Sequence, residues 1–409
     1  MIWVYRLLVA PLAVLLLPAA AVFNSKIRQG LRMRMQRRDY PHFPARPIWI
    51  HAASGEFEYA KAVIRELKSA RPDVPVIVTY FSPTYARQVE SFPGVDFALP
   101  LPLDLPGPCA SFLRRLRPRA LWLARTDFWP EMLTQTRRRG IPIAVFALTQ
   151  KPVRGVLRKF LTRWRLRMLD KIYTVSPTDR ETLSAMGIAS ETIGDTRYDQ
   201  VAFRLNHPKP LPLELKPTGP TLIAGSTWPE DESALLPALG PKLKSAKIKL
   251  ILVPHEPTPK HLEQIEAQLQ RAGLTHARFS QARGGDAQQV LIVDQVGILA
   301  ELYAWASIAF IGGSFKKSVH SVMEGLGAGL PTIVGPYHLG NREAVDFQNV
   351  IVGPTPAVLV AWSSGDLSAH VERLLSLNLS DVRARLRAET RARQGASRRV
   401  VTELTSVPD

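Results

Sequence analysis

The sequence predicts an α/β protein with two doubly wound halves, preceded by an apolar helix that anchors the chain to a membrane. Two series of short apolar runs alternate with helical patterns, as in parallel sheets with helices on both faces. A proline-rich stretch, 207–220, separates the two series and indicates a hinge. The 409 residues suffice for two domains with separate cores. This organisation is typical of an enzyme that holds one substrate on each half, facing a cleft.

The individual elements follow from the same patterns. In the first half, strands are predicted at Ile48–Ala53, Val76–Phe81, Ala120–Leu123, Ile143–Ala147 and Ile172–Val175. In the second half, they are predicted at Thr221–Gly225, Lys249–Val253, Val290–Val293, Ile308–Ile311 and Thr332–Val334. Predicted helices include Phe57–Ser69, Pro130–Arg139 and the Arg-rich tail Val382–Val401, whose charges form a solvated face. The predicted domains are an anchor at 1–23, a basic juxtamembrane segment at 24–45, an N-terminal Rossmann-like domain at 46–206, the hinge at 207–220, a C-terminal Rossmann-like domain at 221–375 and a basic helix at 376–409.

The chain is strongly basic. Lys and Arg number 53 against 35 Asp and Glu, a formal net charge of +18. This excess predicts an anionic partner, which is a nucleic acid, membrane headgroups or a phosphorylated substrate. A hydrophobic content of 46% with 22% charged residues indicates a folded protein. The single Cys109 excludes an intramolecular disulfide and a thiolate metal site.

The N-terminal segment favours the membrane among these partners. Leu7–Phe23 is 17 residues long without a charge, close to the length of a spanning helix. Six cations follow it, which predicts that the body of the protein stays cytoplasmic and contacts anionic lipid; they are Lys26, Arg28, Arg32, Arg34, Arg37 and Arg38. A cleaved signal peptide is the alternative, because Ala19-Ala20-Ala21 resembles a cleavage site, but its basic charge would lie on the wrong side. The interpretation is an uncleaved anchor, either spanning or monotopic.

One βαβ unit, 307–342, carries a glycine turn at a position where parallel sheets bind phosphate. The turn Gly312-Gly313-Ser314 follows a predicted strand and precedes a helical pattern with His320 and Glu324 on one face. It matches neither the P-loop nor the dinucleotide fingerprint. A phosphate site and an ordinary packing turn therefore both stay open.

Polar clusters follow other predicted strands at the same edge of each sheet. They are His51–Glu56, with Glu56 at a helix start, Arg125–Glu131, Gly225–Thr227 with three acids after it, and Val253–Pro257. Singly, such residues serve as helix caps, dipole partners or turn residues. Jointly, at strand ends that face one cleft, they predict a ligand site.

These clusters resemble the motifs of the 3-deoxy-D-manno-octulosonic acid (Kdo) transferases of lipopolysaccharide assembly. In the first half, H-A-x-S-x-G-E is similar to His51–Glu56, E-T-E-x-W-P to Arg125–Pro130, and a linker ending in Phe/Tyr-Asp to Gly194–Asp199. In the second half, S-T-x-x-x-E-E is similar to Ser226–Glu232, P-[RH]-x-P to Pro254–Pro257, G-x-L-x-x-L-Y to Gly297–Tyr303, and G-G-[SG]-[LF]…H-N-x-x-E to Gly312–Glu324. The resemblance runs from the apolar helix to about residue 350.

The resemblance implies a GT-B fold and the inverting transfer of Kdo from CMP-Kdo to a lipid A precursor, without metal or cofactor. It implies that Glu56 is the general base for the acceptor hydroxyl. The acceptor side would comprise Ser54, Gly55, Arg125, Thr126 and Asp127. The donor side would comprise Ser226, Thr227, His255, Gly312, Gly313, Ser314, Lys316, His320, Glu324 and Asn341. Because the chain lacks D-x-D, backbone dipoles and cations would neutralise the donor phosphate, and Glu324 would accept from the ribose.

The chain departs from the family pattern at several positions. The His51–Glu56 turn is one residue shorter, Arg125 replaces a glutamate and Asp127 shortens another. Ser321 replaces an asparagine, and His255 stands where many members have Arg. These departures predict a divergent member with shifted acceptor specificity or altered activity.

Two alternatives remain open at this point. One is a GT-B enzyme of the same membrane face that uses another sugar nucleotide and lipid acceptor. The other is a basic membrane-bound nucleic-acid-binding protein, which the lack of any recognisable RNA- or DNA-binding motif disfavours. The resemblance instead predicts no nucleic-acid partner and a location on the cytoplasmic face of the inner membrane of a Gram-negative bacterium.

Overall fold

The computed structural model describes residues 1–36 and 39–405 and comprises two compact units. The N-unit comprises Met1–Gln200 and Arg393–Asp409, and the C-unit comprises Val201–Ala392. Each unit is built on one seven-stranded sheet, which confirms the α/β class and its two doubly wound halves. Two of the six predicted juxtamembrane cations, Arg37 and Arg38, lie outside the described residues.

The N-unit sheet is entirely parallel, with the strand order β3-β2-β1-β4-β5-β6-β7. Its strands are β1 Ile48–His51, β2 Val76–Tyr80, β3 Phe97–Pro100, β4 Ala120–Ala124, β5 Ile143–Leu148, β6 Lys171–Thr174 and β7 Glu191–Thr192. Alternate side chains of a strand point to opposite faces, so the sheet has an apolar cluster on each side. Ile48 and Ile50 pack into one cluster and Trp49 into the other. The strand order reverses between β1 and β4, which is where such sheets bind ligands.

Helices cover both faces of the N-unit sheet. They are α4 Phe57–Ala70, α5 Ala86–Glu90, α6 Pro106–Leu116, α7 Pro130–Arg137, α8 Val156–Leu166, α9 Pro177–Ser184 and α10 Arg197–Asn206. In α4, Phe57, Ala60, Ile64 and Leu67 recur at helical spacing and are buried in one of the clusters. This packing fixes the start of α4 directly after the loop that follows β1.

The N-terminal residues form a long apolar helix and a short basic one. The first comprises α1 Ile2–Val4, a π-helical turn at Tyr5–Val9 and α2 Ala10–Phe23; the second is α3 Ser25–Met35. The helix Ile2–Phe23 is long and apolar enough to cross a membrane by length and composition, and little of it is buried. Asn24 separates the two helices, because its backbone is extended while its side chain caps α3.

The C-unit sheet is also parallel, with the order β10-β11-β9-β8-β12-β13-β16. Its strands are β8 Thr221–Thr227, β9 Lys249–Pro254, β10 His276–Arg278, β11 Val290–Ile292, β12 Ile308–Ile311, β13 Thr332–Val334 and β16 Val358–Val360. A separate antiparallel hairpin pairs β14 Ile351–Val352 with β15 Thr355–Pro356. The helices are α11 Pro229–Lys244, α12 Pro259–Arg271, α13 Leu299–Leu302, α14 Met323–Gly327, α15 Arg342–Asp346, α16 Ser364–Leu375 and α17 Leu379–Ala392.

All ten predicted strands are confirmed, with ends within two residues of the prediction, but the sequence missed β3, β7, β10 and β14 to β16. The predicted helix through His320 is wrong, because α14 begins only at Met323. His320 lies in a turn that closes when its N–H donates to the Gly312 carbonyl oxygen at 3.0 Å.

The domain limits differ from those expected. The units divide at Gln200/Val201 inside α10, and residues of the proline-rich stretch, including the buried Leu215 and Pro217, belong to the C-unit. The single C-terminal helix is in fact two, α17 and α18 Ala396–Thr405, and α18 belongs to the N-unit. The break falls at Gly395, which has a φ of 94°. The carboxylate of Asp199 accepts from the N–H groups of Gly395 and Ser397 at 2.6 and 2.7 Å and so fixes the start of α18.

Candidate active site

The N-unit site lies at the strand-order reversal. β1 and β4 are paired in register from Ile48↔Ala120 to His51↔Leu123, so the loops that follow them leave the sheet side by side. The first loop carries Glu56 and the second carries Arg125, Thr126 and Asp127. The structure therefore brings the predicted acceptor-side residues to one edge of one sheet.

Glu56 is half-buried and immediately precedes α4. Its Oε2 accepts from the Ser54 N–H and the Ser54 hydroxyl, both at 3.0 Å. Its Oε1 has no hydrogen-bond partner among residues 1–36 and 39–405. The loop itself is fixed because the Ala53 carbonyl oxygen accepts from the N–H groups of Phe81 and Ser82 at 2.7 and 3.0 Å. One carboxylate oxygen is thus held in place while the other remains available as a proton acceptor.

A buried relay of hydrogen bonds joins β1 to the second loop. Trp49 Nε1 donates to Thr79 Oγ1 at 2.8 Å, and this hydroxyl lies 2.8 Å from His51 Nδ1. His51 Nε2 lies 2.9 Å from Asp127 Oδ2, which also accepts from Trp129 Nε1 at 2.8 Å. His51 Nδ1 also lies 3.1 Å from the Thr79 carbonyl oxygen, while Nε2 donates to the Asp127 carboxylate. Burial acts to raise the pKa of Asp127, but the hydrogen bonds and charge of His51 and the bond from Trp129 outweigh it and hold this pKa below its ordinary value.

Arg125, which reverses the charge expected of the motif, is bound within the N-unit. Its backbone is left-handed, with φ 67°. Nη1 donates to the Tyr59 hydroxyl at 2.6 Å and Nη2 to Thr149 Oγ1 at 3.0 Å, while the guanidinium lies 4.7 Å from the Tyr59 ring centroid. Its Nε is buried without a hydrogen-bond partner in the part of the chain that the structure describes. Arg197 lies 4.4 Å from the same ring, so two cations lie beside one tyrosine.

The C-unit has a matching site where β8 and β12 lie side by side, from Ile308↔Leu222 to Ile311↔Gly225. Ser226 follows with a left-handed backbone, φ 56°. A Cβ on Gly312 would lie 2.2 Å from the Ser226 carbonyl oxygen, so only glycine allows this approach of the two loops. Gly313 is also left-handed, with φ 77°, and is packed against the Ser318 carbonyl oxygen.

The expectation that the glycine turn offers free N–H groups to a phosphate is wrong for most of its donors. Asp231 is fully buried and accepts from the N–H groups of Gly313 at 2.7 Å and Phe315 at 2.9 Å. The Gly312 N–H donates to the Gly225 carbonyl oxygen at 2.9 Å, and the buried Ser314 hydroxyl donates to a carbonyl oxygen in β12. Burial raises the pKa of Asp231, although its three backbone donors act to lower it. This carboxylate is therefore a structural brace of the turn.

Thr227 is likewise a supporting residue. It is fully buried, and its hydroxyl donates to Glu232 Oε1 at 2.8 Å. Glu232 Oε2 lies 3.0 Å from His261 Nε2, and His261 Nδ1 lies 3.0 Å from the Glu256 carbonyl oxygen. Burial raises the pKa of Glu232, against the opposing effect of His261. The network ties the end of β8 to the loop after β9.

A cluster of rings lies above these braces. His255 and His320 stack with centroids 4.3 Å apart, and the Trp228 ring lies 4.9 Å from His255. Trp228 Nε1 donates to His320 Nε2 at 3.1 Å, and Lys316 Nζ lies 3.4 Å from the Trp228 ring centroid. Burial and the neighbouring His255 lower the pKa of His320 to about 4, so it is neutral at pH 7. Asn341 fixes the His320 backbone by donating from Nδ2 to its carbonyl oxygen at 3.0 Å.

Glu324 belongs to a second group in the C-unit. Its Oε1 accepts from Arg204 Nη1 at 2.9 Å, and Arg204 Nε lies 3.6 Å from Oε1 of the nearly buried Glu301. The other oxygen of Glu301 is buried, and no described residue forms a hydrogen bond with it. Tyr303 is fully buried nearby, and burial together with the Glu324 charge raises its pKa well above the ordinary value.

The sequence identified His255, Lys316, His320 and Glu324 but missed Trp228, Asp231 and Arg204 as parts of the site. Trp228 fills a variable position of the S-T-x-x-x-E-E motif and Arg204 lies outside every motif, so neither carried a signal. Asp231 occupies the first glutamate position of the same motif, but its sequence context indicated no role beyond that of an acid in a first helical turn.

Two further observations delimit the site. Among residues 1–36 and 39–405, no three carboxylate, imidazole or thiol side chains converge as they would to hold a metal ion. A cavity of about 550 Å³ in the C-unit is lined by residues that precede β8 and β12, including Thr218 and Ser307. It therefore lies at the opposite edge of the sheet from the ring cluster.

Comparisons with known proteins agree with this geometry. The family model for 3-deoxy-D-manno-octulosonic-acid transferase (kdotransferase) matches residues 28–200. A 3-deoxy-D-manno-octulosonic acid transferase of Bordetella pertussis is 28% identical over 388 residues, which cover 88% of this chain and 87% of that protein. One of Aquifex aeolicus is 29% identical over 299 residues, covering 71% of this chain and 76% of that protein. These alignments extend beyond the family-model match.

A solved structure shares the fold of both units. The UDP-GlcNAc 2-epimerase from Neisseria meningitidis bound to UDP-GlcNAc aligns with a TM-score of 0.63 at 14% identity, over 88% of this chain and 99% of that one. At this identity the likeness shows the fold alone, which is of the GT-B type with two Rossmann-like domains. The family model over residues 28–200, the relatives and the motifs together show that this chain is a glycosyltransferase similar to the 3-deoxy-D-manno-octulosonic acid transferases.

Proposed function

We propose that this protein transfers Kdo from CMP-Kdo to a lipid A precursor at the cytoplasmic face of the inner membrane, with inversion and without a metal. The N-unit binds the acceptor and the C-unit binds the donor. Similarity to these relatives supports the transferred sugar, since they are named for it. The apolar N-terminal helix and the net charge of +18 support an anionic membrane surface as the place of reaction.

The observation that carries the proposal is the environment of Glu56. An inverting displacement needs a base that removes the proton from the acceptor hydroxyl as it attacks the anomeric carbon. Glu56 lies at the strand-order reversal with Oε2 held by Ser54 and Oε1 without a partner among the described residues. In the proposed mechanism, Oε1 takes this proton while Ser54 keeps the carboxylate oriented.

On the donor side, the ring cluster supplies contacts for the leaving phosphate. His320 is neutral and its Nε2 accepts from Trp228, so its proton is on Nδ1. Nδ1–H then donates to a phosphate oxygen, while Lys316, which lies over the Trp228 ring, supplies the positive charge. Glu324 accepts from the ribose hydroxyls, with Arg204 orienting its carboxylate.

The test is acceptor-dependent release of CMP from CMP-Kdo by the detergent-solubilised full chain, in EDTA. Release that requires a lipid A precursor and persists in chelator is the expected result. Glu56→Gln is expected to keep CMP binding and lose transfer. Glu58→Gln is the matched control, because Glu58 lies in the same helical turn but pairs with Lys61 at 2.5 Å. Unchanged turnover in Glu56→Gln would exclude Glu56 as the base.

One observation favours a second candidate, a transferase of the same fold that uses another sugar nucleotide and lipid acceptor. Arg125 places a cation where the family motif has a glutamate, and its side chain is built into the acceptor side through Tyr59 and Thr149. CMP binding without Kdo transfer, together with turnover of another sugar nucleotide, would replace the first proposal with this one.

A further inference from the structure

The N-terminal segment 2–35, which comprises the apolar helix and α3, is attached near both of its ends to the same edge of the N-unit sheet. Near the start, Arg6 forms a two-pronged ion pair with Glu131, with Nε 2.9 Å from Oε2 and Nη2 2.6 Å from Oε1. The Glu131 side chain is 0% exposed, and Gln135 Nε2 also donates to it at 2.6 Å. A bidentate pair with a buried carboxylate fixes both position and orientation. Arg6 is therefore docked into the folded unit.

The second attachment lies at the end of α3. Arg34 Nε donates to the Leu101 carbonyl oxygen at 2.9 Å, and Nη2 donates to the Phe81 carbonyl oxygen at 3.0 Å. The guanidinium also lies 4.6 Å from the Phe81 ring centroid. Phe81 follows β2, Leu101 follows β3 and Glu131 follows β4. Because these strands are parallel, Arg6 and Arg34 are held at the same edge of the sheet.

A spanning helix is incompatible with these two attachments. The 22 residues of Ile2–Phe23 extend roughly 33 Å, about the thickness of the hydrocarbon core. If this helix crossed the bilayer, Arg6 and α3 would lie on opposite sides. The 11 residues of α3 rise only about 16 Å and cannot cross back. Four of them are cations, Lys26, Arg28, Arg32 and Arg34.

We propose that residues 2–35 form a monotopic hairpin that enters only the cytoplasmic leaflet, with both ends held on the N-unit. The proposal rests on the membrane location proposed above and fixes its topology. The apolar side chains of the first helix are largely exposed, and Phe23 at the tip is 91% exposed. The other exposed apolar side chains of this helix are Trp3, Val4, Leu7, Leu8, Val9, Leu12, Val14, Leu15, Leu16 and Val22. In the cytoplasmic leaflet, these side chains would be surrounded by lipid acyl chains and no longer by water.

A second element at the same edge fits the same surface. Helix α8 follows β5 and exposes Val156 and Leu157, which are 87% and 68% accessible, together with Phe160. The segment 151–167 carries seven cations and no acid, and residues 2–35 likewise contain no acid. Apolar side chains surrounded by cations without carboxylates complement a bilayer of anionic lipid. The hairpin and α8 therefore form two parts of one membrane-facing surface.

The test uses the full chain in inner-membrane vesicles of a Gram-negative host, with Cys109→Ala as background. Val4→Cys leaves the Arg6–Glu131 pair intact. A spanning helix would expose residue 4 to the periplasm, so a membrane-impermeant maleimide would label it in right-side-out vesicles. If residues 2–35 form the hairpin, the maleimide is expected not to label residue 4 in right-side-out vesicles and to label it fully after detergent solubilisation. Periplasmic labelling would overturn the proposal.

A crosslink provides the positive readout. Tyr5→Cys with Asp104→Cys keeps the Arg6–Glu131 pair and is expected to react with a short bis-maleimide in most membrane-bound molecules, because the Tyr5 hydroxyl lies 3.4 Å from the Asp104 carbonyl oxygen. Leu15→Cys with Asp104→Cys is the control and is expected to remain uncrosslinked, because Leu15 is exposed farther along the helix. Lack of the first crosslink would also overturn the hairpin. Flotation with anionic vesicles separates the two proposals. A chain that does not bind the vesicles would contradict the membrane location as well as the hairpin. A chain that floats with the vesicles but is labelled at residue 4 from the periplasmic side would contradict the hairpin alone.

Discussion

Replacing Asp231 with asparagine tests whether one buried carboxylate holds the turn that carries Lys316 and His320. Oδ2 of Asp231 accepts from the N–H groups of Gly313 at 2.7 Å and Trp228 at 2.9 Å, and Oδ1 accepts from Phe315 at 2.9 Å. Asparagine retains one acceptor oxygen and presents an NH₂ group to the remaining donor. At least one buried N–H then loses its partner, which costs about 1–3 kcal/mol, and the surviving bonds lose their charge assistance. The expected total is about 2–4 kcal/mol of unfolding free energy.

Urea unfolding and CMP titration calorimetry measure the two consequences. Asp231→Asn is expected to unfold at lower urea and to bind CMP more weakly, since the turn positions the donor-side residues. Asp231→Ala is expected to lose more unfolding free energy and more CMP affinity than Asp231→Asn, because all three N–H donors lose their acceptor. Glu230→Gln is the matched control: this neighbouring carboxylate is exposed, and such changes stay within about 0.5 kcal/mol. If Asp231→Asn unfolds and binds CMP like the control, the carboxylate is not the brace described above.

Two further changes test the supporting networks. The folded-state pKa of Asp127 is lowered, so its ionised form contributes stability that is present above about pH 4, the unfolded value, and is lost as pH falls through the folded value. Asp127→Asn is expected to reduce this acid dependence of the unfolding midpoint between pH 7 and pH 3, and an unchanged pH profile would contradict the role of the His51 contact. Arg204→Gln is expected to weaken CMP affinity about tenfold, the effect of one charged hydrogen bond, because Glu324 loses its orienting partner. Arg204→Lys should recover part of this loss, and equal affinity in all three proteins would exclude the orienting role.

The sheets were predictable from sequence because buried parallel strands appear as short apolar runs between helical patterns. The missed strands are short or mixed with prolines: β3 ends at Pro100, and β7 contains only Glu191 and Thr192. The motif-bearing loops were also placed at the correct sheet edge, since polar residues directly follow the apolar runs. These features depend on local pattern alone.

The errors concern contacts between residues distant in sequence. The four-residue spacing of His320 and Glu324 matches a helix, but Trp228 bonds to His320 across 92 residues. Asp231 similarly accepts a hydrogen bond from the N–H of Gly313, which lies 82 residues further along the chain. The position of α18 depends on Asp199, nearly 200 residues earlier. No periodicity within a window of helical length contains such information.

The attachment of the hairpin and the acceptor side share one short segment of chain. Asp127, which is bonded to His51, lies in the loop before α7, and Glu131, which is bonded to Arg6, lies in the first turn of that helix. The side chain of Asp104 caps this helix by accepting from the Glu131 and Met132 N–H groups at 3.0 and 2.8 Å. A lipid acceptor with its acyl chains in the leaflet beside the hairpin would therefore present its headgroup near the loops that carry Glu56 and Asp127. In the proposed topology, the ion pair that holds Arg6 on the cytoplasmic side would also set the height of the acceptor loop above the membrane, and its two hydrogen bonds would offset the desolvation of the buried Glu131 carboxylate.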